Sequence, residues 1–215
     1  MPTTQNPGLC LLCNQTIEHR TIAKHLAQCL EKNTLQKAPQ AAEKEKIFLI
    51  KITAGKEFWL YIEINGSATL EALDDFLRDT WLECCGHLSA FMMNGEEFSS
   101  DKNMSKTIHR VLPVDTEFEY EYDFGSTTYL QGKVLSARPG KLSESIQLLA
   151  RNHLPADIQC TACQKKAEII CTACNEFFCE NCQEDHIDKC EGEEYSLPVV
   201  NSPRMGVCGY TGPEN

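Results

Sequence analysis

The sequence has no long apolar run: the two longest, 9–13 and 58–62, are five residues each. A helix needs roughly 18 such residues to cross a bilayer, so a helical membrane span is excluded. The chain is also short of cations, with 20 Lys and Arg against 31 Asp and Glu and a net charge of −11. That balance argues against a broad phosphate-binding surface. The first twenty residues lack the charged start and continuous apolar stretch of a secretory signal, so the expected location is cytoplasmic. Asp123-Phe124-Gly125 stands without a Gly-rich phosphate loop, and His109-Arg110 continues as Val111 where a kinase catalytic loop has Asp. A turn between two strands is the expectation for that triplet.

What remains is an ordinary chain of 215 residues, 42% hydrophobic and 24% charged, sized for one main domain with small modules. Its 13 cysteines are very unevenly placed, three within 10–29 and seven within 160–190. Nearly all of these fall in Cys-x-x-Cys pairs, a spacing that lets two thiolates grip one ion from a tight turn. In a reducing compartment such thiols stay free of disulfides, so zinc is preferred over a disulfide framework.

Residues 33–46 contain Pro39 and few large apolar groups and read as a linker. A second boundary falls near Pro155, which gives a CCHC-type finger at 1–32, a central domain at 47–154, a two-zinc module at 155–195 and a tail at 196–215. Acidity rises along the chain, with 4 basic and 3 acidic residues in 1–43, 12 and 17 in 44–154, and 4 and 11 in 155–215. In the centre, 47–52 and 57–64 read as a hairpin around Gly55. Leu70, Leu73, Leu77 and Trp81 then mark a helix stopped by Gly86. Further strands are expected at 88–93, at 97–98 and where Phe118, Tyr120 and Tyr122 alternate with glutamates. Residues 127–137 read as a strand, whereas 145–152 fits a strand or a short helix. The fold class is α+β, a mixed sheet with one main helix, and the order hairpin, helix, strands over 47–98 resembles β-grasp proteins.

Three ligand sets follow from spacing. Cys10-x2-Cys13-x11-His25-x3-Cys29 places His25 and Cys29 one helical turn apart, facing the Cys-x-x-Cys turn. Cys171-x2-Cys174-x11-His186-x3-Cys190 repeats all three intervals. Cys160, Cys163, Cys179 and Cys182 then form a third set whose pairs are 15 residues apart, interleaved with the second. A consecutive pairing of 160/163 with 171/174 would need a seven-residue loop to turn both pairs face to face and is the weaker arrangement. Ten Cys and two His make twelve ligands for three zinc ions.

The spacing over 160–190 resembles the B-box family of cross-braced fingers, ending in Cys190 where B-boxes commonly have His. That resemblance implies a two-zinc protein-interaction module without catalytic residues. The central domain resembles the Ri-plasmid ORF-three-like family, also described as passenger proteins of mobile insertion elements. The match rests on 69–77, Trp81, 87–91 and 120–125. It implies a prokaryotic origin and a related fold, and no defined activity.

Cys84-Cys85-Gly86-His87 reads as structural cysteines, a nucleophile with a base, or a further metal site. Its place at a helix C-terminus, the negative end of the dipole, disfavours a catalytic thiolate. Cys208 has no partner by spacing and reads as a thiol in a packed tail or a substitute zinc ligand. His19, His109 and His153 are isolated. Ten thiolates and three divalent ions would move the charge from −11 to −15. Only Arg20, Lys24, Lys32 and Lys37 beside the first finger offer a basic face. The expected function is therefore a zinc-binding interaction or adaptor protein, ahead of a nucleic-acid-linked regulator, with an enzyme third.

Overall fold

The computed structural model describes residues 6–36, 45–155, 158–190 and 195–213. Gly8–Cys10 (β1) and Gln15–Ile17 (β2) form a short hairpin. A 3-10 turn, His19–Thr21, leads into helix α1, Ile22–Gln36. The helix thus continues four residues into the segment read as a linker, and 37–44 lie outside the described residues.

Lys46–Ala54 (β3) and Phe58–Asn65 (β4) pair in full antiparallel register from Ile47↔Asn65 to Ala54↔Phe58. Thr69 then caps helix α2, Leu70–Leu77, its hydroxyl accepting from the Ala72 amide at 3.2 Å. A cap of this kind contributes about 1 kcal/mol. The apolar periodicity runs on to Trp81, but the chain widens into a π turn at Arg78–Leu82. The wider turn brings Trp81 and Leu82, adjacent in sequence, both into the core. Ser89–Met93 (β5) and Glu96–Ser99 (β6) form the expected second hairpin. A four-residue helix, Ile108–Val111 (α3), precedes Glu117–Tyr122 (β7). In β7, Phe118, Tyr120 and Tyr122 are buried and Glu117 and Glu119 exposed. Thr128–Pro139 (β8) and Ile146–Asn152 (β9) follow, which settles 145–152 as strand.

All nine strands lie in one sheet, ordered β2-β1-β9-β4-β3-β8-β7-β5-β6, with every pairing antiparallel. The molecule is mixed α+β, with a large sheet and few helices. β4 sits near the centre and has both faces covered. Leu60, Ile62 and Ile64 point into the main core with Leu70, Leu73, Leu77 and Trp81. Trp59 and Tyr61 point the other way, into a second cluster with Ile22 and Leu26 of α1 and Leu149 of β9. The next residue on that second face is Glu63, 2% exposed and held by both ends of the Arg138 guanidinium at 2.6 and 2.7 Å. The sequence boundary near residue 32 is therefore no gap in space, because β1 pairs with β9 through Gly8↔Asn152, Leu9↔Arg151 and Cys10↔Ala150.

Beyond Pro155, Ile169–Cys171 (β10) lies between Glu176–Phe178 (β11) and Ser196–Pro198 (β12), and Glu180–Ile187 (α4) follows β11. The tail returns to the central domain: Ser202, Arg204 and Tyr210 are buried. The acidic run 191–194 lies outside the described residues.

Candidate metal centres

Three of the Cys-x-x-Cys pairs sit on the same backbone turn. Asn14, Gln164 and Asn175, each directly after the second cysteine, have φ of 57°, 61° and 60°. Their amides donate back to the carbonyls of Cys10, Cys160 and Cys171 at 2.7, 2.8 and 2.8 Å. Asn tolerates this left-handed conformation better than most residues, which suits two of the three positions. The turn aims both thiols of a pair to one side.

The two Cys2HisCys sets share more than spacing. Cys10 pairs with Gln15 across the first hairpin and Cys171 with Glu176 across the second, so each turn closes three-residue strands in the same register. A helix then supplies the remaining ligands. His25 and Cys29 lie on α1; His186 lies on α4, with Cys190 just past its end. In both sets the histidine presents Nε2 to the second cysteine, at 3.3 Å in Cys13–His25 and 3.5 Å in Cys174–His186. Phe178 stacks on the His186 ring, centroids 4.0 Å apart, and holds its orientation.

The sets assemble as the sequence pairs them, cross-braced: Cys160, Cys163, Cys179 and Cys182 in one, Cys171, Cys174, His186 and Cys190 in the other. Within each set the ligand atoms lie within 4.8 Å of one another. Ligands about 2.3 Å from a tetrahedral zinc are about 3.8 Å apart, whereas a disulfide holds its sulfurs at about 2.05 Å. Cys163–Cys179 at 3.7 Å and Cys171–Cys190 at 3.8 Å match the tetrahedral edge. No cysteine is in a disulfide.

Thiol acidity fits cation binding as well. Burial opposes ionisation of Cys160, but amides of Cys179, Cys163 and Ala162 outweigh it and bring the thiol down to about 6. Cys171 is likewise brought to about 6 against its burial, by the Cys174 amide and His186. Their neighbours move the other way: Cys174 is pushed to about 11 by burial and by Cys171, and Cys182 to about 12 by its hydrogen bond to Cys163. In the first set, burial raises Cys10 and, with Cys10 beside it, pushes Cys29 to about 11. Each set thus crowds thiols that resist joint ionisation on their own. A divalent cation removes that repulsion, so metal binding and proton release are coupled.

Spacing does not reveal a fourth cluster, Cys84, Cys85, His87 and Cys208, gathered within the same 4.8 Å limit. The sequence reading provides for three ions; the structure assembles four clusters among the described residues. Nothing local links positions more than 120 residues apart. The available signal was arithmetic, three cysteines left over after the twelve ligands were assigned. Asp123-Phe124-Gly125 is a turn between β7 and β8, in which the Gly125 amide donates to the Asp123 carboxylate at 3.0 Å. The isolated histidines make ordinary contacts: His19 stacks on Trp59, His109 meets the Gly66 carbonyl at 2.8 Å, and His153 lies 3.4 Å from Thr16 Oγ1.

No family model and no curated protein matches the chain. Among solved structures, a protein of unknown function from Methanosarcina mazei Go1 is similar at 17% identity and a TM-score of 0.42, over 49% of this chain and 67% of that one.

Proposed function

We propose that this chain is a zinc-dependent protein-interaction or adaptor protein whose metal is structural. The observation that carries the reading is closure: each cluster offers four protein ligand atoms within 4.8 Å. A four-ligand tetrahedral site leaves no position for an activated water, the requirement for zinc hydrolysis. Zinc is the metal that sets of thiolate and imidazole ligands favour. The cross-braced pairing supports a B-box-like module at 158–190, and a reducing compartment such as the cytoplasm would keep the thiols available. Among the described residues no helix is long and apolar enough to cross a membrane. The order hairpin, α2, further strands supports relating the centre to β-grasp-like and Ri-plasmid ORF-three-like proteins.

A nucleic-acid-linked role rests on Arg20, Lys24 and Lys32, all exposed along or just before α1. Three cations on a chain of net charge −11 make a weak phosphate surface. The test is a purified binding partner. A protein retained by the zinc-loaded chain, and lost both on chelation and in Cys171→Ser, supports the adaptor reading. Salt-sensitive retention of DNA or RNA in its place, abolished by replacing Arg20, Lys24 and Lys32, would favour the alternative.

A further inference from the structure

The loop after the π turn is held from beneath. Gly86, at φ 78°, turns the chain, and its amide donates to the Glu83 carboxylate at 2.5 Å. Arg78 donates to the His87 carbonyl at 2.7 Å while bound to Asp74 at 2.7 Å and Glu83 at 2.9 Å. The C-terminal segment meets this loop from the other side. Arg204, with no exposed surface, donates to Asp123 at 2.6 Å, the Ser126 carbonyl at 2.7 Å and Thr128 at 3.1 Å. The Ser202 hydroxyl donates to the Trp81 carbonyl at 2.5 Å. The Tyr122 ring lies against both guanidiniums, 4.8 Å from Arg78 and 5.0 Å from Arg204. Three positive-φ residues, Gly206, Cys208 and Gly209, then curl the segment and deliver Cys208 to the loop.

The resulting ligand geometry matches that of the spacing-defined sets. Cys85–Cys208 and Cys84–Cys85 sulfurs are 3.8 and 3.9 Å apart, at the tetrahedral edge. His87 Nε2 lies 3.1 Å from Cys85 Sγ and 3.2 Å from Cys208 Sγ. Its other nitrogen, Nδ1, faces Asp123 Oδ1 at 3.5 Å, the carboxylate–histidine arrangement that orients a metal-bound imidazole. Arg204 reaches Cys84 Sγ at 3.6 Å and sets a positive charge against a set whose three thiolates would outweigh a divalent ion. We infer that Cys84, Cys85, His87 and Cys208 hold a fourth zinc ion, which clasps the C-terminal segment onto the central sheet. This inference does not depend on the adaptor reading.

Cys85 and Cys208 are exposed, which makes the test direct. Free exposed thiols alkylate quickly; metal-bound ones do not. In reduced, zinc-loaded wild-type protein, native mass spectrometry should count four ions, and Cys85 and Cys208 should resist iodoacetamide until a chelator is added. Cys208→Ser and His87→Ala should each carry one ion fewer than wild type, and His87→Cys should restore it. Because the readout is a difference, incomplete filling of the other three sites lowers both counts alike. Trypsin should spare the Arg204–Met205 bond in wild type and cut it in Cys208→Ser. Rapid alkylation of both thiols in the wild type, an unchanged ion count in both variants, or a Cys85–Cys208 disulfide in place of the ion would overturn the site. Equal protection of the Arg204–Met205 bond in Cys208→Ser would overturn the clasp. Should a variant fail to fold, the wild-type alkylation decides alone.

Discussion

The two Cys2HisCys modules have the same spacing, turn and strand register, and rest on very different foundations. Beneath the first lie Trp59, Tyr61, Leu149 and Ala150 of the central sheet, packed with Ile22 and Leu26. The buried cluster of the second consists of Cys160, Cys171, Phe178 and Cys179, three of them ligands. One ligand frame therefore serves two energetic regimes. Where a sheet lies beneath it, apolar burial and metal share the work of folding. Where none does, the metal substitutes for a core too small to hold the chain.

The largest effect should come from removing a ligand of the second module. Structural zinc supplies about 10–16 kcal/mol in small finger peptides. Cys179→Ser should remove hydrogen-exchange protection throughout 158–190, although Cys171, Cys174, His186 and Cys190 all remain, because each set spans the other's chain. Tight binding of one zinc by a peptide of 155–178, with a four-thiolate cobalt spectrum, would break the cross-brace instead. Next in size, Trp59→Ala should cost about 3–5 kcal/mol in urea unfolding and weaken zinc retention by the first set while leaving 158–190 unchanged. Equal zinc retention there would mean that the two modules are energetically alike. Gly8→Ala should cost less, about 1–3 kcal/mol. A Cβ at Gly8 would come within 2.2 Å of the Arg151 carbonyl and 2.3 Å of the Trp59 ring. Loss of β1–β9 amide protection is its readout.

The smallest effect sits at the same junction. His19 is stacked on Trp59, and its pKa is lowered from 6.5 by burial and by Lys51 nearby. The folded state therefore favours the neutral ring. Its contribution to stability is fully present above the unfolded-state value and lost as pH falls through the range beneath it. An NMR titration of His19 should give a midpoint below 6.5, and Lys51→Gln should move it partway back. A midpoint at or above 6.5 would remove His19 from the buried interface.

How legible these features were in the sequence depended on how local they are. Ligand sets written at short intervals could be read directly, as could the β3–β4 hairpin and the Leu70–Trp81 stripe. β9 was ambiguous for a physical reason. The register of β4 against β9 shifts between Tyr61 and Ile62, so Leu148 joins the main core while the adjacent Leu149 and Ala150 join the second, and strict alternation is lost. The pairing of β1 with β9, and the meeting of Cys208 with Cys85, join positions more than 120 residues apart and leave no periodic trace. Arg204, an unremarkable tail residue in the sequence, proves to be a fully buried cation.

The placement of β1 has a consequence for solubility. The nine-stranded sheet ends on one side at β2, three residues long and mostly polar, and β1 stands between that short edge and β9. A long strand with unpaired amides is a template for other chains, and short polar edges are one way proteins avoid it. Should the first set lose its ion and its hairpin detach, the 146–152 backbone would be uncovered along this side. Metal depletion would then be registered as self-association, visible by light scattering and reversible when zinc returns and the hairpin closes over the edge.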